Sequence, residues 1–170
     1  MSTLRVAIIG AGGAGLAICQ CLNNEPHIEQ VVYEKASSIG GTWRYTKNDK
    51  SKNNTPMYKN LRTNLAKEIM AYPDFPFSKH LPSFISTEEV GNYLKDYADH
   101  FDLMKSIKVD HEVLSVKPMH EEDGKQTWKI VVKNLRNDTI HTSIFDAVVA
   151  CNGHFETPRL PEISGLNTFP

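Results

Sequence analysis

The stretch GAGGAG at residues 10–15 constrains this chain more than any other. It follows LRVAII, an apolar run that reads as a short buried strand over Leu4–Ile9, and it leads into a helix over Gly13–Asn23 that stops before Asn24 and Pro26. A strand that passes through a glycine turn into a helix opens a βαβ unit. Gly10, Gly12 and Gly15 fit G-x-G-x-x-G. The first glycine permits the tight turn, the second lets a pyrophosphate approach the backbone, and the third brings helix and strand together. The phosphates would then rest on the helix N-terminus at Gly13 and Ala14, where free N–H groups and the helix dipole favour negative charge. Alone, such a pattern also serves as a structural turn. Here the next strand, residues 29–34, closes in Glu34, at the interval of about 20 residues where an acidic side chain accepts from ribose hydroxyls. The context selects dinucleotide binding.

Residues 35–43, KASSIGGTW, decide between dinucleotides. A nicotinamide-only domain proceeds directly to a helix after the acidic residue, whereas this chain places a second glycine pair there, with Lys35 before it and Gly41, Thr42 and Trp43 closing it. The E-x(5)-G-G-x-W arrangement resembles the adenine-ribose to isoalloxazine connection of flavoproteins with two dinucleotide folds, which favours FAD over NAD. The bland alternative is a Gly-Gly turn with Trp43 filling a core.

The chain then runs irregularly to about Pro82, through NLRTNLAKEIMAYPDFPF at residues 60–77, which keeps neither a strand nor a helix period. Ser86 and Glu89 form a capping box, and Val90, Tyr93, Leu94, Tyr97 and Phe101 mark one face of the helix that follows. Residues 106–116, 127–134 and 139–143 alternate as strands of a small antiparallel meander, and residues 145–150 read as one more apolar strand, leading into CNGH. The predicted class is α/β: a Rossmann-like domain with a parallel sheet plus a meander, a single domain over residues 1–170.

At 170 residues with a formal charge of −1, the chain has no basic excess to suit nucleic acid. Cys19, Cys21 and Cys151 lack C-x-x-C spacing, and seven histidines are scattered without ligand spacing, so no metal site is expected. His154 reads as structural or cofactor-adjacent. The apolar run that begins at Leu4 is broken by four glycines and makes a poor membrane span. Without a secretory signal the expected location is the cytoplasm, or outside the cell if a signal was removed, and the sequons at Asn53 and Asn137 are compatible with the latter.

GAGGAGL, YEKASSIGGTW, YKNLRTNLAKEIMAYPDFPF and VVACNGHFETPRLP together resemble the flavin-containing monooxygenases along nearly the whole chain. Ile39 before the glycine pair and Cys151 in place of a common Thr are departures that leave the glycines intact. The resemblance implies oxygenation of soft nucleophiles, amine nitrogen or sulfide sulfur, by FAD, NADPH and O2 through a flavin C4a-hydroperoxide; insect alkaloid N-oxygenases are among the members it suggests. It implies that the loop Arg62, Thr63, Asn64 and Leu65 lies against the flavin ring. Asn64 would be the catalytic donor, with Arg62 and Thr63 positioning the loop, and the PDFPF segment would wall the site. It further implies that Val113 offers its backbone to the adenine, and that Cys151 and Gly153 sit beside the cofactor. Baeyer-Villiger or N-hydroxylating monooxygenases, and a non-catalytic FAD-binding module, are the alternatives. Only one G-x-G-x-x-G is present and Phe169-Pro170 opens a signature that precedes the family's NADPH loop, so the expectation is an incomplete N-terminal part, inactive alone and prone to self-association.

Overall fold

The structure is a computed structural model that describes residues 3–44, 56–120, 124–155, 159 and 161–168. The sequon at Asn53, Phe169-Pro170 and part of the ETPRLP stretch lie outside the described residues.

Strand β1 (Leu4–Ile9) is central because from Val6 onward its side chains are apolar on both faces. After helix α1 (Gly13–Asn23) the chain returns as β2 (Ile28–Tyr33), parallel to β1, with Ile8 beside Val32. A four-residue helix α2 (Lys67–Met70) interrupts the irregular passage, and α3 (Thr87–His100) follows. Two-residue β3 (Ile107–Lys108) then pairs parallel to β2. The antiparallel meander is β4 (His111–His120), β5 (Gln126–Asn134) and β6 (Ile140–Phe145). Finally β7 (Ala147–Ala150) pairs parallel to β1 on its free side, giving the order β3-β2-β1-β7.

The alternation of side chains along β1 and β2 builds two cores. Ile8 and Val32 face α1 and α3, where they meet Leu16, Cys19, Val90, Leu94 and Tyr97. Ala7 and Tyr33 face the other way, against Ile130, Val132 and Phe145 of the meander. One parallel sheet is thus covered by helices on one side and by a sheet on the other.

Two strand predictions are corrected. Residues 106–116 are not one strand: Asp110 takes a left-handed backbone, φ 57°, which turns the chain from β3 into β4 in a different sheet. Residues 145–150 are not one strand either. Phe145 ends β6 inside the second core, and Asp146 makes the switch, accepting a 2.8 Å bond from the Arg5 amide and pairing with Lys125 at 2.7 Å.

The PDFPF segment folds onto α3. Phe77 stacks on Tyr93 at 3.7 Å between centroids, and Phe75 meets both Tyr93 and Tyr97 at 5.5 Å. The capping box forms as predicted, the Ser86 hydroxyl accepting from the Glu89 amide and the Glu89 carboxylate accepting from the Ser86 amide.

Candidate functional site: a cleft at the carboxyl ends of the parallel strands

The parallel strands β1, β2 and β7 all end at one edge of the sheet, where a cleft of about 680 Å³ opens. Such an edge is where open α/β sheets receive ligands. The glycine loop forms its floor. Gly10 adopts φ 99°, and Gly15 packs so tightly on it that a Cβ at Gly15 would stand 1.9 Å from the Gly10 carbonyl oxygen. The close helix–strand packing expected of the third glycine is therefore present in the structure. The second glycine pair folds over the first loop: the Gly40 amide donates to the Ala11 carbonyl at 2.9 Å, and a Cβ on Gly41 would lie 3.0 Å from the Gly12 Cα.

Glu34 joins these parts. It is buried, and its two carboxylate oxygens accept from the Ala11 and Ala36 amides, each at 2.8 Å. Its backbone N–H donates to Lys108 and its carbonyl accepts from His111. A carboxylate oxygen has more than one lone pair, so these bonds leave acceptor capacity toward the cleft, which Glu34 lines. Sequence reasoning gave Glu34 a ligand-facing role; the structure adds that it ties the glycine loop to the ends of β2, β3 and β4.

The structure brings together Gly10, Gly12, Gly13, Ala14, Glu34, Lys35, Gly41, Thr42, Trp43, Val113, Cys151 and Gly153 as cleft lining. Gly15 lies beneath, as a packing residue. Val113 sits on β4, an outer strand of the meander, beside a bulge between Val113 and Ser115. An outer strand carries backbone N–H and C=O groups that its one neighbour does not take. Cys151 continues from β7, its amide bonded to the Ile9 carbonyl at 2.8 Å, and burial pushes its thiol pKa up, which keeps it uncharged.

Arg62, Thr63, Asn64 and Leu65 do not line this cleft. They form a separate loop strapped to the segment before α3. Thr63 donates its amide to the Ile85 carbonyl at 2.9 Å and takes the Ile85 amide on its hydroxyl at 3.2 Å, while Arg62 donates to the Phe84 carbonyl at 3.1 Å. Thr63 is buried, whereas Asn64 and Leu65 are exposed.

Cleft residues that the sequence reading passed over include Arg44, His111, Glu112 and Asn152. His111 had one available signal, its place two residues before Val113 at the start of a strand. Among the described residues there is no cluster of ligating side chains that could hold a metal, no helix long and apolar enough to cross a membrane, and no disulfide between the three cysteines.

A glycine loop between a parallel strand and a helix, a buried acid closing the next strand, and a second glycine pair folded over the loop define a dinucleotide-binding α/β protein. The comparisons narrow the class. The profile described as flavin-binding monooxygenase-like matches residues 3–170. Dimethylaniline monooxygenase [N-oxide-forming] 4 of Oryctolagus cuniculus is 39% identical over 98% of this chain. The flavin-containing monooxygenase FMO GS-OX5 of Arabidopsis thaliana is 39% identical over all of it. Among solved structures, the S-allyl-L-cysteine S-oxygenase of Allium sativum matches with a TM-score of 0.81 at 36% identity over 99% of the chain. Cyclohexanone monooxygenase, at 23% identity and a TM-score of 0.67, shares the fold. The chain belongs to the flavin-binding monooxygenase-like family. It spans 28% of the rabbit relative, 39% of the Arabidopsis relative and 40% of the Allium structure.

Proposed function

We propose that this chain is the FAD-binding part of an NADPH-dependent monooxygenase that places one oxygen atom on an amine nitrogen, alkaloid amines included, or on a sulfide sulfur. The observation that carries the reading is the joining of Gly10–Gly15, Gly40-Gly41 and Glu34 around one opening at the strand ends. The relatives named as N-oxide-forming and as an S-oxygenase support the two nucleophile classes.

The residues present fit the cofactor. At Gly12 nothing but Gly41 stands within 4 Å of an added Cβ, so the bare backbone leaves room for a pyrophosphate that any side chain would fill. FAD, when bound, supplies the redox chemistry that activates dioxygen with two electrons from NADPH; one oxygen atom goes to the nucleophile and the other leaves as water. The amides of Gly13 and Ala14 at the start of α1 would hold the phosphates. Glu34 would accept from the ribose, and the backbone of Val113 would meet the adenine. Trp43, Thr42 and Gly41 would line the path toward the ring. Asn64 would donate a hydrogen bond from its exposed amide at the oxygenation site without bringing a charge, and the Thr63 and Arg62 straps would fix where it points. The neutral thiol at Cys151 avoids a negative charge beside the phosphates.

The test is product analysis with the intact enzyme, FAD, NADPH and isotopically labelled dioxygen, offered a tertiary amine or a thioether. The expected product is an N-oxide or S-oxide carrying one labelled oxygen. Oxygen drawn from water, or ketone-to-ester conversion with amines and thioethers untouched, would contradict the reading, the latter in favour of a Baeyer-Villiger enzyme.

A further inference from the structure

Tyr72 lies in the irregular passage, far in sequence from the glycine loop, yet its hydroxyl donates to the Gly13 carbonyl at 2.5 Å. That carbonyl belongs to the first turn of α1, where it also serves the helix's own i+4 bond. The Gly13 carbonyl and the Ala14 N–H are two ends of one peptide unit, and Ala14 lines the cleft. A donor placed on the carbonyl of a peptide polarises its N–H, so each bond strengthens the other. Tyr72 is itself held in place. Its amide donates to the Tyr93 hydroxyl at 2.8 Å, that hydroxyl donates to the Phe75 carbonyl at 2.6 Å, and its ring packs on Tyr97 at 4.3 Å. Burial, with the phenols of Tyr97 and Tyr93 adding to it, pushes the Tyr72 pKa well above that of an ordinary phenol, so the group stays a donor.

We propose that Tyr72 is a positioning residue for the dinucleotide: its hydroxyl, bonded to the Gly13 carbonyl, fixes the start of α1 and sharpens the Ala14 amide as a donor to the cofactor pyrophosphate. The proposal rests on the FAD reading above. It gives the aromatic passage, held on α3 by ring packing against Tyr93 and Tyr97, a role at the phosphates.

Phosphorus NMR of bound FAD reads the pyrophosphate directly. In Tyr72→Phe, which keeps the ring packing, both bound phosphate resonances should move toward their free positions and the dissociation constant for FAD should rise roughly three- to tenfold, the span of one ordinary hydrogen bond. Tyr72→3-fluorotyrosine, a more acidic phenol of nearly the same shape, should shift the resonances the opposite way. Tyr93→Phe, which leaves the Gly13 bond, should lower the melting temperature while moving the resonances little. Unchanged resonances and affinity in Tyr72→Phe overturn the proposal, as do equal phosphorus shifts in Tyr72→Phe and Tyr93→Phe. If the unsubstituted protein binds no FAD, the FAD reading itself fails, an outcome distinct from these.

Discussion

Two single-methyl substitutions in one loop should separate packing from ligand space. A Cβ at Gly15 would stand 1.9 Å from the Gly10 carbonyl oxygen and 2.9 Å from its carbon, both backbone atoms. Ordinary contact begins near 3.4 Å, so α1 and the loop must part by about 1.5 Å. Gly10 is itself packed against the end of β7, where an added Cβ would stand 2.5 Å from the Cys151 carbonyl oxygen. Overpacking of this kind costs about 1–3 kcal/mol, and a chain of this size loses about 2–4 °C of melting temperature per kcal/mol. Gly15→Ala should therefore melt roughly 2–12 °C lower, and by drawing the helix N-terminus off the phosphates it should weaken FAD binding by about tenfold or more. Gly12→Ala is the contrast. Gly12 has φ −79°, which any residue adopts, and an added Cβ meets the Gly41 Cα at 3.5 Å, an ordinary contact. Its melting temperature without ligand should stay within about 2 °C, while FAD affinity falls because the methyl enters the cleft. Differential scanning fluorimetry without ligand and flavin-fluorescence titration measure the two effects. A Gly15→Ala protein that melts and binds FAD like the parent would refute the packing argument, and a Gly12→Ala protein with parental FAD affinity would refute the ligand argument.

Asn64→Ala in the intact enzyme should keep FAD but lose oxygenated product, with hydrogen peroxide released in its place; parental coupling of NADPH consumption to product would show that the residue has no such role. Hydrogen bonds from the Ser86 amide and hydroxyl hold the Glu89 carboxyl below its usual pKa of 4.5. A folded pKa lowered in this way stabilises in full above the unfolded value and loses the contribution as pH falls through the folded value. Glu89→Ala should thus cost about 1 kcal/mol at neutral pH, with the difference from the parent closing in acid; a cost that does not change with pH contradicts the assignment. β7 is an outer strand of the parallel sheet, and sedimentation should reveal self-association of the 170-residue chain through that edge; a monomer at every concentration tested would rule it out.

Legibility in the sequence followed how local the physics is. β1 and α1 have the predicted bounds because a buried parallel strand is an unbroken apolar run and the glycines punctuate it. The capping box at Ser86 and Glu89 is likewise a contact between near neighbours. Residues 106–116 misled because alternation carries no information on the sign of φ, and the left-handed turn at Asp110 moves the chain from one sheet to another within a single apparent strand. The cleft residues of the glycine loop and Glu34 were legible through spacing, whereas those of residues 35–43, Val113 and the end of β7 came through the family resemblance. His111 and Glu112 enter it only because β4 lies against the end of β2, a tertiary fact. Tyr72 had no signal at all: a tyrosine in an aperiodic stretch gains meaning only when α3 presses it against α1.

FAD is proposed to lie in the cleft bounded by the glycine loop, Glu34, the Gly40-Gly41 turn and Val113. Hydrogen–deuterium exchange read by mass spectrometry, with and without saturating FAD, locates the ligand on the chain. Slowed exchange should concentrate in peptides covering residues 10–15, 34–43 and 111–113. Saturating FAD that leaves all three unchanged, or slows exchange only elsewhere, would contradict that placement.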